Sequence, residues 1–173
     1  KWFEQYGLVP EAIRHSLIGG DQDRVIQLIE QNGAILLISG EYNALSNWIK
    51  AVDFRSQTHP WIHIIQAWLF ILTGQPEQAE EPLKIAEKLI SPIEADAKTR
   101  IMLGAIATGR AYRSFIDGDT HLTATFARQA MEYLPDVDLV SRSIRSIAIS
   151  LLGDACLMNG ELEEARQVYT EAK

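Results

Sequence analysis

LLGDACLMNGELEEARQVYT, residues 151–170, holds a helix end, a turn and a new helix start in one short stretch. An apolar helical pattern closes at Gly160, and a second amphipathic pattern opens directly after it, at Glu161. The same arrangement recurs at Gly74 and Gly118, so the three glycines lie 44 and 42 residues apart. A fixed period of this size marks an array of helical hairpins. Such arrays offer long surfaces to partners and rarely carry chemistry of their own.

Outward from that stretch the patterns stay helical. Towards the N-terminus the helices look short. Pro10 introduces Glu11 to Ile18, which ends at Gly19-Gly20. Asp21 is placed to cap a helix with its apolar stripe at Val25, Ile26, Leu28 and Ile29, ending at Asn32-Gly33. Ala34 to Ile38 reads as a separate short segment, apolar enough to be buried. After Gly40, residues Leu45, Trp48, Ile49 and Val52 make one more helical face. Asp53 to His59 is a polar connector.

Pro60 then opens the first long hairpin, one helix running to about Thr73 and the next from Pro76 to Ile90. Ser91-Pro92-Ile93-Glu94 is a capping box, which predicts a helix from Pro92 to Asp117 with Gly104 or Gly109 as a bend. Its partner is Asp119 to Leu134, closed by Pro135. The last pair is Asp138 to Asn159 and Glu161 onward. No period-2 run competes with these patterns, so the expected fold is all-α. Residues 1–59 are expected to bridge into the array. Residues 60–173 are expected to form about two and a half to three hairpins of 42–44-residue period, cut short at the C-terminus as a piece of a longer protein.

Composition narrows the function. Hydrophobic residues make up 47% and charged residues 23%, which suits a folded chain rather than a disordered one. A net charge of −7 excludes nucleic-acid binding through the overall field. The apolar stretch from Trp61 to Thr73 is too short to span a membrane, which takes roughly 20 residues, and no signal peptide is visible. One cysteine, Cys156, excludes an internal disulfide. Its apolar neighbours imply a buried thiol, which fits a reducing, cytoplasmic setting.

Little in the chain carries chemistry. There is no G-x-x-x-x-G-K-[ST] for ATP, and no helix-turn-helix with a basic second helix. His59 and His63 have the i, i+4 spacing of metal ligands, but no third ligand lies near in sequence. They read as a helix-start residue and a packing residue, and His15 and His121 as surface or packing residues. No serine or cysteine pairs with a histidine, so no enzyme, metal or cofactor is expected. The acidic groups Glu77, Glu80, Glu81 and Glu161, Glu163, Glu164 open helices, where anions suit the positive helix end. Of the four tryptophans, three are expected in the core.

The register set by the glycines resembles the tetratricopeptide (TPR) pattern. In the last repeat Leu152-Gly153, Cys156, Ala165, Tyr169 and Ala172 fall at its key positions. Ala67, Phe70, Ala79, Leu83 and Ala86 do so in the first. In the middle repeat Ala111, Ala127, Ala130 and Pro135 match, with Thr123 where alanine is expected. The period exceeds the usual 34 residues by about a turn in each helix.

That longer period, with Trp2-Phe3-Glu4, Glu11-Ala12-Ile13, Gly20-Asp21, Leu28-Ile29-Glu30, Gly40-Glu41, Trp48-Ile49, Pro60-Trp61 and Ala67-Trp68, resembles the sensor region of MalT-type regulators. These are LuxR-family transcriptional regulators of the STAND ATPase class. Val52-Asp53 departs from the pattern, where Leu-Pro is expected. The resemblance implies a superhelical arm, in a larger protein with an ATPase and a helix-turn-helix, that responds to a protein or small-molecule inducer. TPR geometry further implies a concave face at Trp68, Thr108, Tyr112, Phe115, Ser150 and Asp154, with Arg110 and Arg113 beside it. That mixture suits peptide or ligand capture, and ordinary interhelix packing is the alternative. A stand-alone TPR adaptor holding a peptide or protein is the rival, and it would lack the motifs from Trp2 to Trp48.

Overall fold

Five connections between helices share one construction, and it sets the architecture. In each, an apolar residue ends the helix, one residue follows (in helical geometry at all but Thr73), and a glycine then takes a positive φ. The glycines are Gly20, Gly40, Gly74, Gly118 and Gly160, with φ from 71° to 83°. At Gly118 the glycine N–H donates to the Phe115 carbonyl at 3.1 Å, and the Asp119 N–H to that of Ser114 at 2.9 Å. The same pair of bonds closes the other four. This is a Schellman ending, which satisfies carbonyls the helix leaves unpaired and needs a residue at ease with positive φ. Sequence spacing singled out three of these loops. Gly20 and Gly40 add two more, so the same turn also serves the N-terminal region.

The computed structural model describes residues 8–52, 59–90 and 96–171. Among them are nine α-helices and no strand. They are α1 (Val9–Ile18), α2 (Gln22–Ile38), α3 (Tyr42–Ala51), α4 (Pro60–Leu72), α5 (Glu80–Leu89), α6 (Ala97–Ile116), α7 (Thr120–Tyr133), α8 (Leu139–Met158) and α9 (Leu162–Glu171). A 3₁₀ turn, Pro76–Gln78, leads into α5. The Trp2-Phe3-Glu4 motif, most of the 53–59 connector, the Ser91–Glu94 capping box and Ala172 lie outside the described residues.

Asp21, Asp96, Asp119 and Asp138 each cap a helix, accepting from the backbone N–H three residues on. Asp96 makes α6 start at Ala97 rather than at Pro92, since its carboxylate takes the Thr99 N–H at 2.7 Å. Asn32-Gly33 does not end a helix, because α2 runs on through it to Ile38. The Asn32 side chain bonds back to the Leu28 carbonyl. Gly33 is retained for packing, since a Cβ there would come 2.5 Å from Ile65 Cδ1 of α4. The Ala34–Ile38 stretch is therefore the last turn of α2 and is only partly buried, with Ile35 and Ile38 each 49% exposed.

Helices α2, α4, α6 and α8 pack side by side as an inner row, with α5, α7 and α9 against its outer side. The row curls until α8 touches α2. Its first half is filled by large aliphatic residues such as Ile13, Leu28, Ile62 and Ile65. Its second half relies on small ones, among them Ala107, Ala111, Ala127, Ala130, Ala148, Ala155 and Ala165. Small side chains let helices approach closely and exclude voids. Gly104 and Gly109 act the same way inside an unbroken α6. A Cβ at Gly104 would meet Leu134 Cγ at 2.4 Å, and one at Gly109 would come 3.3 Å from Leu83. In α8, Gly153 admits the Tyr169 ring of α9, which a Cβ would meet at 2.3 Å.

The Gly104–Leu134 contact makes a checkable expectation. Gly104→Ala should destabilise by about 1–3 kcal/mol through overpacking, despite its better helix propensity. Combined with Leu134→Ala, the loss should fall clearly short of the sum of the two single losses, because the truncated leucine makes room for the methyl group. Urea unfolding of the four proteins in the cycle measures it.

Candidate functional site

Helix α4 carries apolar residues on every side. Ile62, Ala67, Leu69 and Ile71 are buried, and so are Trp61, Ile64, Ile65 and Trp68 on the remaining stripe. That stripe, at i, i+3, i+4 and i+7 and continued by Leu72, forms the wall of a cleft of about 560 Å³. Across from it stand Ala34, Leu37 and Ile38 of α2, Tyr42 of α3, and Val140, Ile144 and Ile147 of α8. Ala105 of α6 lies at the base. A concave, mostly apolar cleft of this size is the usual form of a small-molecule site.

Polar side chains are few: Arg142, Ser143 and Ser146 on α8, and Tyr42 on α3. Arg142 donates from Nε to Asp136 at 2.7 Å, a pair exposed on both sides. No acidic side chain lines the cleft. Deeper in, the Trp68 indole N–H donates to the Ala105 carbonyl at 3.3 Å, fixing the ring between α4 and α6.

Of the residues expected on a concave face, Trp68 alone lines this cleft. Thr108 is fully buried, its hydroxyl bonded to the Gly104 carbonyl at 2.8 Å. Tyr112 and Phe115 are half-buried against the helical core. Ser150 is exposed and donates to the Ser146 carbonyl. Asp154 accepts a 2.6 Å bond from the Tyr169 hydroxyl. Burial and that carboxylate push the Tyr169 phenol up to about 12. Arg113 binds Asp117 at 2.8 Å and reaches the Pro76 carbonyl. Arg110 grips Glu87 with both Nη groups, at 2.8 and 2.9 Å, and reaches Glu80 at 3.4 Å, tying α6 to α5. This bond holds the Glu87 carboxyl below its usual range.

Sequence reasoning missed Tyr42, Trp61, Arg142, Ser143 and Ser146. The available signal was α4 itself, because a helix apolar over so much of its surface must be covered on more than one face.

The acidic helix starts also act between hairpins. Arg128 of α7 donates to Glu164 of α9 at 2.6 Å. Cys156, Glu161 and Glu164 bring possible ligand atoms within 4.8 Å of one another. Arg128 already supplies the cation there. Burial first, and then the Glu164 charge, push the Cys156 thiol up, away from a metal-binding thiolate. The histidine pair forms no such group among the described residues. His59 Nδ1 lies 3.2 Å from Glu30 Oε1 of α2, and His63 Nδ1 is buried without a hydrogen-bond partner. No helix among the described residues is long and apolar enough to cross a membrane.

Comparison with known proteins finds weak similarity that runs along the whole of this chain. The chain is 25% identical to the HTH-type transcriptional regulator MalT of Cronobacter sakazakii (strain ATCC BAA-894) over 176 aligned positions. These cover 99% of this chain and 18% of that protein, so the chain spans under a fifth of its relative. No family model matches the chain, and no solved structure does.

His63 makes the site's surroundings sensitive to pH. Burial, and then the nearby His59, hold its imidazole below the ordinary 6.5. The unfolded chain therefore takes up this proton first as pH falls. The stability due to neutral His63 is full above 6.5 and is lost as pH drops through the folded value. The urea midpoint of His63→Gln should fall less than that of the parent chain between pH 7.5 and 5.5. Parallel curves would refute the assignment.

Proposed function

We propose that this chain is the signal-sensing and protein-interaction arm of a multidomain bacterial transcriptional regulator of the MalT/LuxR type. It works in the cytoplasm, without an ATPase, a DNA-reading module, a cofactor or a catalytic site of its own. The similarity to a MalT protein along the whole chain supports the family part of this reading. One structural observation carries the sensing part: the cleft is walled by α2 near the start of the chain and by α8 more than a hundred residues later. An inducer held there touches both ends of the curled inner row. It favours the arrangement in which they are close, and its differential affinity for the two states sets the size of the response. A partner domain or protein that senses the curl would read the difference.

A specific feature favours docking of a protein partner as a second activity. Ile18, Ile38, Ile116 and Met158, the last residues of four helices before their loop glycines, are 49–79% exposed. In the adaptor reading this recurring apolar position is the whole function.

The test uses the parent regulator and a transcriptional reporter. Ser146→Trp, at an exposed position on the cleft wall, should lower sensitivity to inducer by about tenfold or more while protein level and basal DNA binding hold. Tyr112→Ala with Arg113→Ala, away from the cleft, should leave the sensitivity within about twofold. An unchanged dose response in Ser146→Trp would sink the cleft as sensor. A parent gene with neither a P-loop upstream nor a helix-turn-helix downstream would leave the adaptor.

A further inference from the structure

Resting on the cleft as the sensing site, the chemistry of its walls narrows what enters it. We infer that the cleft binds a small amphipathic anion: a flat or branched apolar body with a single carboxylate-like head. The body is specified by the walls. Trp61 and Trp68 present aromatic surface, and Ile64, Ile65, Ile144 and Ile147 enclose it with branched aliphatic groups. Of the two indole N–H groups, that of Trp68 is already taken by the Ala105 carbonyl. The interior therefore offers few groups that could replace the hydration of a hydroxyl-rich molecule such as a sugar, and burying such hydroxyls without partners is costly.

The sign of the head is specified by charge. The chain carries 23 acidic residues, yet none lines the cleft, and its charged lining residue is Arg142. Helix α8 bears two arginines and no carboxylate from Leu139 to Gly153. The second, Arg145, is bonded to the Met131 and Leu134 carbonyls. Arg142 pairs with Asp136 only through Nε, and that partner is 70% exposed. Among the described residues its Nη groups have no partner. The Ser143 and Ser146 hydroxyls are unbonded there too, and both lie within two turns of Arg142 on the same helix. A guanidinium with flanking hydroxyls matches the bidentate recognition of a carboxylate. A ligand seated with its head on α8 and its body against α4 and α2 spans the seam where the inner row closes.

The experiment uses the 173-residue chain with 2-naphthoate, the neutral 2-naphthylmethanol and a neutral glucose oligomer as probes. Binding is read by tryptophan fluorescence and by the shift in melting temperature. Naphthoate should bind about tenfold tighter than the alcohol, a modest factor because Arg142 is solvent-exposed. The glucose oligomer should not bind. Arg142→Gln, which removes only an exposed pair, should erase the preference for the acid and leave affinity for the alcohol unchanged. Ser146→Trp should weaken both. Equal affinity for acid and alcohol, binding of the acid that persists undiminished in Arg142→Gln, preference for the oligosaccharide, or no binding of any probe would each overturn the proposal. These outcomes are separate from the reporter result. A chain that binds naphthoate through Arg142, in a parent whose transcription ignores the Ser146→Trp change, keeps the ligand class and loses the sensing role.

Discussion

Helix α4 is apolar over most of its surface, interrupted only by His63 and Gln66, and much of the structure follows from that constraint. Trp61, Ile62, Ile64, Ile65, Ala67, Trp68, Leu69 and Ile71 are all buried and cover most of the helix surface, with His63, Gln66 and Phe70 half-buried on the rest. Each large side chain gains about 1.5–3 kcal/mol when removed from water, so leaving one stripe uncovered costs several such terms. An ordinary hairpin partner covers one side only. Here α5 packs behind α4, while α2 and α6 flank it. Helices α2 and α6 cover the stripe from Trp61 to Leu72 only in part, through Ala34, Leu37, Ile38 and Ala105. The rest is screened because the row curls and carries α8 round to meet α2. Curvature, seam and cleft thus have one physical cause.

The second half of the row solves a different problem. Its contacts use alanine and glycine, which bury little area each but bring backbones close enough to exclude voids. Ion pairs cross between successive hairpins there, Arg110 to Glu87 and Glu80, and Arg128 to Glu164. An exposed pair such as Arg128–Glu164 contributes about 0–1 kcal/mol, so it selects the stacking register more than it stabilises it. The glutamates that open α5 and α9 combine this with their favourable position at the positive helix end.

How much of this was legible in the sequence depends on how local its cause is. The loop at Gly118 is written in five consecutive residues, and its position, geometry and capping aspartate all follow from them. Alanines at hairpin contacts were legible for the same reason, since the repeat supplies the register. Gly33 was misleading. An Asn-Gly pair ordinarily stops a helix, and only Ile65, thirty-two residues away, explains why α2 continues through it. The cleft was least legible, because its walls come from five helices and its polar rim from the side of α8 facing α2. Positions carried over from TPR geometry found Trp68. They could not find Arg142 or Ser146, whose role depends on how tightly this row curls.

The cleft also stands out against the packing around it. Elsewhere the chain fills space closely enough that a single methyl group on Gly33, Gly104 or Gly153 would collide with a neighbour. A sequence able to pack so closely at three seams leaves about 560 Å³ open beside two tryptophans. Filling it requires only larger side chains at Ala34, Ser143 or Ser146, where the helices already exist. Small residues kept beside an open apolar wall forgo that stabilisation. Local breaches of an otherwise consistent design are where function is expected to reside. The same lining that weakens the fold when the cleft is empty makes a bound apolar molecule part of the core, and it does so at the seam between the two ends of the inner row.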